Sequence, residues 1–595
     1  MRNKLNGLLL IFLVFPIAAS TAFSSPEPSV RYTIRINAAD LTGIDVEMRV
    51  DNAPKVTRIA MAAHPEYDDR YFRFIENVTA SSKGRSLTVA REDDPLWRID
   101  GVDNQVTVKY RLRFSPVAEG NSHDAWKPFL TPTGGMVGDL HCLMYVLGGE
   151  ARPSSLTLDI PSEWKAVSGL EPTSDSKTFR GSTELILDSP VMVGQLSEWK
   201  FTAGGVPHSM VIWAPPDAKA IDPQPLLEGI EKLVDQSIKA FGRPPYPRYV
   251  FLFQQGGQAA LEHLTSVNIG LSLELSDLFE QVAHEYIHVW NLMDVRPRER
   301  VGLRYRFAEP TGVLWWNEGA TIMFADLLLR RAGLPRDSRS QIQRLESIIA
   351  RYLASPGYST LSGELISRGD SHPILLGDYS TSTHLHGEVL STMLDLKIPE
   401  VTNGRKDVTD VMRVLSEKFD FKRGITNADI EKALADVCGC EVKSFFRDHI
   451  YGAKPVDFDR YLGIIGLRTE VTWATAVGSD GKPAVDLRVG PLSFDGQLVL
   501  RITNPRAAWG EAGLHTGDKL VSVDGRPVTT WAQFRQWLRT LKVADVGRLA
   551  VKSNGVAKTV DVTIDPFAVP TVRIVELKDA TAKQVRLRHA WISAQ

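Results

Sequence analysis

Two histidines four residues apart constrain this chain more than any other feature of its sequence. His284 and His288 lie in the stretch QVAHEYIHVWN, and Glu285 directly follows the first of them. Residues i and i+4 of an α-helix share one face about one turn apart, so both imidazoles can bind one metal ion while Glu285 lies beside an open coordination position. The stretch therefore predicts a helix that carries part of a catalytic zinc site.

The alternative interpretation is an ordinary amphipathic helix whose sequence matches H-E-x-x-H by accident. Because such accidents occur in roughly one or two chains in a hundred of this length, the motif needs a third ligand to support it. Glu318 supplies one, thirty residues after His288 in LWWNEGATIMFADLLLRRAGL. This segment has helical spacing, and a tryptophan pair before the Asn-Glu-Gly is not typical of a polar helix face. The sequence therefore favours zinc over coincidence.

The first residues are typical of a secretory signal peptide. Arg2 and Lys4 precede the apolar run GLLLIFLVFPIAAS, and small residues follow as far as Ala22. Pro16 interrupts the run, which is shorter than the roughly 20 residues that a membrane-spanning helix needs. We therefore predict that residues 1–22 are cleaved. The mature chain is then exported, periplasmic or extracellular, without a stable membrane span; retention as an anchor is the alternative.

The composition of the 595 residues is that of an ordinary soluble protein. A net charge of −2 provides no basic field for a polyanion, so no nucleic-acid partner is predicted. Only three cysteines occur, Cys142, Cys438 and Cys440, which excludes a framework of several disulfides. For the Cys438-Gly-Cys440 pair, buried thiols are favoured over a bridge or a metal site.

The chain divides into regions of different periodicity, and its length favours three or four domains at about 150 residues each. Alternation of apolar and polar residues in RYTIRI, QVTVKYRLRF and LTLDI predicts an antiparallel β domain over 28–200. Helical spacing with a short apolar strand predicts an α/β unit over 201–335, and 336–465 is predicted to be mostly helical. Strands with one amphipathic helix return over 470–567, and 568–595 is left as a C-terminal tail.

Several segments resemble the glycyl aminopeptidase family of zinc metallopeptidases, within the thermolysin-like gluzincins. HEYIHVWNLMDVRP and LWWNEGATIMFADLLLRRAGL resemble its metal-binding helices, ALEHLTS its Gly-Gly-Leu-Glu-His segment, and SFFRDHIYGAKPVDFDRYLGIIGL its closing helical region. The resemblance covers about 245 to 467. It implies a multidomain α+β protein with an N-terminal antiparallel β domain, a thermolysin-like α/β catalytic domain, a helical domain and a C-terminal PDZ-like domain.

The last region adds to this resemblance. AAWGEAGLHTGDKLVSVDGRPVTTWAQF is similar to bacterial PDZ domains, although Ala507-Ala508-Trp509 stands where Ser-Pro-Ala is usual. PDZ domains can bind chain ends by adding a strand to a sheet edge. The PDZ-like domain is therefore expected either to bind a peptide or protein ligand or to serve a packing or regulatory role.

The resemblance also implies roles for single residues. One Zn2+ is held by His284, His288 and Glu318, and Glu285 is the base that takes a proton from water and passes it to the leaving amine. An aminopeptidase must also hold the substrate's N-terminal ammonium at a fixed distance from the metal. Glu262 in ALEH is the candidate for that contact.

Two departures from the family pattern bear on substrate and catalysis. Ala259-Ala260 replaces Gly-Gly and adds two methyl groups where the substrate backbone approaches closely. The family's oxyanion tyrosine aligns with His384, and Tyr379 lies close enough in sequence to replace it. An oxyanion donor is worth roughly 3 kcal/mol where tested. His384 and Tyr379 are therefore the candidate donors; a helix-start His384 without a role is the alternative.

The sequence thus predicts an exported zinc metallopeptidase that acts on peptides or proteins. The first hypothesis is an aminopeptidase that removes small first residues, Gly or Ala. The second is an endopeptidase on unfolded or periplasmic proteins, with the PDZ-like domain binding the substrate. The third is a non-catalytic peptide-binding or scaffold protein that has lost the oxyanion tyrosine. An N-acetylated peptide separates the first two, because only an aminopeptidase needs a free amine.

Overall fold

A computed structural model describes residues 29–594, apart from 65–69, 115–123, 273, 308, 337–338 and 493–497. The predicted signal peptide lies outside the described residues. Within the described part of the chain, no helix combines the length and the apolar character that crossing a membrane requires.

The N-terminal region consists almost entirely of β-strands. Its two short helices are α1 (Asp139–Cys142) and α2 (Thr183–Asp188). Its strands are β1 (Val30–Asn37), β2 (Asp40–Ala53), β3 (Val56–Met61), β4 (Ile75–Ser82), β5 (Arg85–Leu87), β6 (Val89–Asp93), β7 (Leu96–Asp100), β8 (Asn104–Arg113), β9 (Phe129–Thr131), β10 (Gly134–Gly138), β11 (Met144–Val146), β12 (Pro153–Asp159), β13 (Lys165–Ser168), β14 (Glu171–Pro172), β15 (Thr178–Ser182) and β16 (Pro190–Gly194).

These strands form one large sheet and two smaller ones. The large sheet has the order β14-β15-β12-β1-β2-β8-β4-β5, and the smaller ones have the orders β13-β16-β10-β9 and β11-β3-β7-β6. The pairs β1–β2 and β2–β8 are antiparallel, whereas β1 and β12 are parallel. The predicted alternation of β8 is confirmed, since Val106, Val108, Tyr110 and Leu112 are all buried on one face.

A five-stranded sheet follows, and it positions the candidate site. Its order is β17-β18-β19-β21-β20, in which β18, β19 and β21 are parallel and β20 is an antiparallel edge strand. The strands are β17 (Ser197–Ala203), β18 (Val206–Trp213), β19 (Tyr249–Gln255), β20 (Ala260–Glu262) and β21 (Ser266–Leu271). Helices α3 (Gln224–Phe241) and α4 (Leu275–His288) pack on this sheet, and α5 (Thr321–Ala332) packs against both helices.

The two predicted site helices are confirmed, with irregular turns where they meet the site. Helix α4 passes directly into a π-helical turn, Val289–Asp294, and a second π-helical turn, Trp315–Ala320, leads into α5. Helix α5 ends at Gly333, which adopts the left-handed conformation that favours glycine. π-helical turns inside helices are rare and often occur at functional sites.

The next region is helical, and its side chains join the same hydrophobic core as the five-stranded sheet. Thr426 is the N-cap of α10, and its N–H donates to the Asp429 carboxylate at 2.9 Å. The helices are α6 (Gln341–Leu353), α7 (Gly363–Arg368), α8 (Thr383–Thr402), α9 (Val408–Lys418), α10 (Asn427–Cys438), α11 (Lys443–Phe445) and α12 (Phe458–Leu462), with a π-helical turn at Phe446–Ile450. Short 3-10 turns occupy Tyr71–Phe74, Arg298–Arg300, Pro356–Ser359, Pro373–Leu376 and Gly463–Ile465.

A disulfide closes the end of α10. Cys438 and Cys440 are joined, while Cys142 is a buried free thiol. The expectation of two thiols at the C-x-C pair is therefore wrong, because the turn through Gly439 brings the two sulfurs together.

The C-terminal elements form a separate core flanked by a two-stranded ribbon. Strands β22 and β29 pair along their whole lengths, and residues 476–567 between them, here called the C-terminal module, pack around the buried Trp509. After β29, helix α15 returns to the helical region, where Leu587 joins the main core. The elements are β22 (Leu467–Thr475), β23 (Val489–Pro491), β24 (Leu500–Ile502), β25 (Lys519–Val523), β26 (Arg526–Pro527), β27 (Val546–Ser553), β28 (Val556–Thr563), β29 (Ala568–Glu576), α13 (Ala508–Glu511), α14 (Trp531–Leu538) and α15 (Ala582–Ser593).

Candidate metal centre

The two motif histidines converge at the end of α4. Their Nε2 atoms are 2.9 Å apart, and their rings stand almost perpendicular to each other, at 88°. Glu285 belongs to the same group, because one of its carboxylate oxygens lies within 4.8 Å of a ring nitrogen of each histidine. The i and i+4 spacing thus directs both rings at one point with Glu285 beside it.

Glu318 completes this group from the second π-helical turn. Its Oε2 atom lies 3.4 Å from Nε2 of His288 and 3.6 Å from Nε2 of His284, and the side chain is buried. Zinc bonds of about 2.0–2.2 Å in a tetrahedral arrangement place neighbouring ligand atoms roughly 3.3–3.5 Å apart. The two imidazole–carboxylate separations lie close to this range, and the 2.9 Å between the imidazole nitrogens is shorter. A donor set of two imidazoles and one carboxylate fits a zinc ion.

The electrostatics of Glu318 suit a cation. Burial alone raises the pKa of Glu318, but the charge of His288 and hydrogen bonds from His284, His288 and His384 outweigh burial and hold that pKa well below its usual value. A buried carboxylate persists in its ionised form only when such partners or a metal compensate the lost hydration. The residues around Glu318 therefore keep it available as an anionic ligand.

Two buried asparagines fix the two metal-binding segments to each other. Nδ2 of Asn291, in the turn after α4, donates to the carbonyl of Trp316 at 2.9 Å and to the hydroxyl of Thr321 at 3.0 Å. In return, Nδ2 of Asn317 donates to the carbonyls of Asn291 at 3.0 Å and Val295 at 3.2 Å. Outer contacts of this kind orient metal ligands, because they remove the rotational freedom of the segments that carry them.

Helix α8 crosses the turn of Glu318 with the two backbones in contact. A Cβ atom added to Gly387 would lie 1.9 Å from the carbonyl oxygen of Trp315, and one added to Gly319 would lie 2.3 Å from the Cα of Gly387. Only glycine permits this approach at both positions. Close packing against α8 thus explains why Gly319, the glycine of Asn-Glu-Gly, has no side chain. Its partner Gly387 was not predicted from the sequence.

The crossing brings His384, near the start of α8, onto the metal-binding group. Its Nε2 atom lies 3.2 Å from Oε2 of Glu318, and its ring stacks against His284 with 6.1 Å between centroids. His284, Glu318 and His384 form a second set close enough to share a metal ion. The side chain is 42% exposed, so His384 is reachable from solvent. The sequence suggested His384 as an oxyanion donor, and its contact with Glu318 was not predicted.

Tyr379 lies in the loop of residues 377–382 before α8 and is half-buried. The loop is attached to the C-terminal module. The Asp378 carboxylate accepts from the Thr516 N–H at 2.6 Å and lies 2.8 Å from Nδ1 of His515, and the Ser380 N–H donates to the carbonyl of Thr503 at 3.2 Å.

Glu262 lies on the edge strand β20, which packs along α4. Its side chain is buried, and its backbone is paired with Val267 of β21. The preceding Ala259 has a φ of 58°, in the left-handed region that disfavours residues with a Cβ. The Ala259-Ala260 substitution therefore affects backbone conformation before the edge strand as well as the space available to a substrate.

Two family models match the chain. The Peptidase M61 N-terminal domain matches residues 31–195, and M61 glycyl aminopeptidase matches residues 277–373, which include all three candidate ligands. No curated protein sequence matches the chain.

Solved structures resemble the chain over most of its length. A crystal structure of an aminopeptidase N family protein from Idiomarina loihiensis is 19% identical and has a TM-score of 0.71; the match covers 95% of this chain and 100% of that chain. A substrate-bound M1 zinc metallopeptidase from Deinococcus radiodurans is 12% identical, with a TM-score of 0.46 and coverage of 72% and 93%. The first likeness shows a shared multidomain fold. Because the Peptidase M61 N-terminal model and the M61 glycyl aminopeptidase model match in chain order, these two regions of the chain resemble that family.

Proposed function

We propose that this protein is an exported, zinc-dependent aminopeptidase. The observation that carries the proposal is the convergence of the Nε2 atoms of His284 and His288 with Oε2 of Glu318, at mutual distances of 2.9, 3.4 and 3.6 Å. Glu285 beside this group and Glu262 on the adjacent edge strand support the aminopeptidase mode. The signal-peptide pattern of residues 1–22 supports export to the periplasm or the extracellular space.

Each residue then has a distinct role. A bound zinc ion supplies Lewis-acid polarisation of the scissile carbonyl and makes water acidic enough to react near neutral pH. Glu285 accepts the proton of the attacking water at its carboxylate and passes it to the leaving amine. Glu262 binds the α-ammonium and so sets the distance from the chain end to the reacting bond. His384, which lies next to Glu318, is the candidate donor to the carbonyl oxygen as charge develops on it.

The finer architecture also belongs to this proposal. A mixed sheet whose antiparallel edge strand lies along the helix of the H-E-x-x-H motif supports a thermolysin-like catalytic unit within 201–335, followed by the helical domain 336–465. The four-stranded sheet and α14 of the C-terminal module support a PDZ-like domain within 470–567. An extended peptide or protein end is the ligand that such a domain would add to its sheet.

Zinc content and turnover of glycyl and alanyl reporter peptides test this proposal. The wild type is expected to bind one zinc ion, and Glu285→Gln is expected to keep it while kcat/KM falls by about 10²- to 10⁴-fold, because only proton transfer is lost. Wild-type protein that does not bind zinc would contradict the proposal. Unchanged hydrolysis by Glu285→Gln would show that the base lies elsewhere.

Blocking the substrate amine tests the aminopeptidase mode. N-acetylated versions of the same peptides are expected to resist cleavage, since Glu262 then has no ammonium to bind. Equal cleavage of the acetylated peptides would favour the endopeptidase alternative. Zinc binding without turnover of any of these peptides, or of leucyl and phenylalanyl peptides, would favour the non-catalytic peptide-binding alternative.

A further inference from the structure

A cavity of about 270 Å³ lies beside Glu262, between the N-terminal β domain and the turn that follows α4. The surface it exposes is mainly apolar. Its apolar side chains come from several separate parts of the chain and include Leu140, Leu185, Leu264, Leu292, Met293 and Phe421. The cavity is thus formed where the edge strand, the π-helical turn and the N-terminal domain meet.

Part of the charge in the cavity wall is already engaged. Nη1 of Arg296 lies 3.4 Å from Oε1 of Glu184, and its Nε and Nη2 atoms donate to the carbonyl of Met293 at 3.2 and 2.7 Å. Oδ2 of Asp188 accepts from the N–H of Leu264 at 2.9 Å. Most of the wall surface that a ligand would meet is apolar, although three more arginines line the cavity: Arg300, Arg304 and Arg306.

The position of the cavity relates it to the substrate. Strand β20 carries Glu262 along α4, the helix of the motif histidines, and Leu292 and Met293 follow α4 directly. A substrate whose ammonium is bound at Glu262 has its first Cα atom next to that carboxylate, so the first side chain starts at the cavity. The positive ammonium then meets the carboxylate of Glu262, and an apolar first side chain meets the apolar walls of the cavity.

We propose that this cavity receives the side chain of the first residue and that the preferred first residue is large and apolar, such as Leu, Met or Phe. This inference rests on the aminopeptidase function proposed above and changes its expected substrate, because Gly and Ala leave most of the cavity unfilled. An apolar pocket distinguishes two substrates that differ by one methylene group by roughly 10- to 200-fold, because the larger one makes more apolar contact.

Binding to the zinc-loaded Glu285→Gln protein tests the inference without turnover. Calorimetric titration with glycinamide, L-leucinamide, L-phenylalaninamide and L-argininamide compares first residues that share the ammonium. L-leucinamide or L-phenylalaninamide is expected to bind at least tenfold more tightly than glycinamide. Equal affinities overturn this inference alone, and tightest binding of L-argininamide overturns it in favour of recognition by the wall carboxylates. Absence of binding by all four overturns the ammonium site and the function built on it.

Filling the cavity gives a second, independent test. In the same Glu285→Gln background, Met293→Trp is expected to reduce the preference for L-leucinamide over glycinamide at least tenfold. Leu264→Phe serves the same purpose if Met293→Trp does not fold, as judged by thermal denaturation. Val556→Trp, at the exposed start of β28 in the C-terminal module, is the matched control and should keep the preference. A preference that survives both filling variants in folded protein overturns the inference.

Discussion

The two halves of the candidate site are held in different ways. The metal half, with His284, His288 and Glu318, is fixed within one hydrophobic core by paired asparagines and by a glycine-to-glycine helix crossing. The substrate half comprises Glu262 with its cavity and the loop 377–382. It depends on contacts from the N-terminal domain and the C-terminal module.

This difference separates the chemistry from its selectivity. Metal ligands must be held at defined angles, and a single close-packed core provides this because it leaves its side chains little freedom to move. Substrate contacts on loops and at domain boundaries tolerate change more easily. The metal half should therefore fail completely when its packing is disturbed, while the substrate half should respond by degrees.

The largest effect is expected from Gly387→Ala. The added Cβ collides with the carbonyl oxygen of Trp315, so we expect a loss of about 3 kcal/mol or more in the free energy of unfolding, together with loss of zinc. Thermal denaturation and zinc analysis of the purified protein measure both. Gly463→Ala is the matched control, since no atom lies within 4 Å of its added Cβ. If the Gly387→Ala protein kept its stability and its zinc, the close crossing of α8 would not be needed to hold the metal half.

A buried carboxyl group on α8, that of Asp395, should make the stability of the protein depend on pH. Burial, followed by the charge of Asp407, raises the pKa of Asp395 to about 6, although Arg330 opposes the shift. The folded state therefore retains a proton that the unfolded state releases, and stability falls as pH rises from about 4 to about 6, by on the order of 3 kcal/mol. Asp395→Asn should lose this decrease and be more stable than wild type above pH 6.

Denaturant titrations of both proteins at pH 4, 5, 6 and 7.5 measure the difference. Asp480→Asn, on the exposed surface of the C-terminal module, serves as the control. Parallel pH profiles for wild type and Asp395→Asn would show that Asp395 titrates normally in the core.

A smaller effect is expected from Asp378→Ala in the substrate half. The substitution removes the acceptor for Thr516 and the partner of His515, at a cost of about 1–2 kcal/mol. Faster hydrogen exchange is expected in 377–382, with a lower kcat and unchanged zinc content. Asp480→Ala on the module should change none of these. Loss of zinc in Asp378→Ala would break the distinction between the two halves, because the metal would then depend on the module.

The smallest effect, with the opposite sign, is expected from Ala259→Gly. Because Ala259 adopts φ 58°, glycine should relieve strain and stabilise the fold by about 1 kcal/mol. The neighbouring Ala260→Gly should instead destabilise by about 0.5–1 kcal/mol, since Ala260 lies in β20 with ordinary strand pairing. Thermal midpoints of the pair measure the difference, and equal signs would contradict the strain at Ala259.

Local patterns were sufficient to predict the helices that carry the metal half. The i and i+4 spacing located α4, and the helical spacing after Asn-Glu-Gly located α5, because both signals reside in consecutive residues. The strand alternation of β8 was predictable for the same reason. Glu262 on an edge strand and His384 next to the cluster came from resemblance, and neither could have been located from periodicity.

Long-range features could not be predicted. The π-helical turns have no sequence signature separate from the helices they continue. The need for glycine at 387 is evident only from its contact with Trp315. Residues 568–595 were expected to be a tail, yet β29 pairs with β22, about a hundred positions earlier in the chain. Such pairing depends on tertiary contacts that a single strand's sequence does not specify.

The ribbon of β22 and β29 makes the C-terminal module an insertion rather than an appendage. Thr475 and Ala568, at its two boundaries, are directly opposite partners in the ribbon. A two-residue Asn-Gly turn could therefore join them and convert the ribbon into a plain β-hairpin. The module would be removed while α15 kept its place on the helical region. What the candidate site would lose with the module is the support of the loop 377–382, which contacts His515 and Thr516.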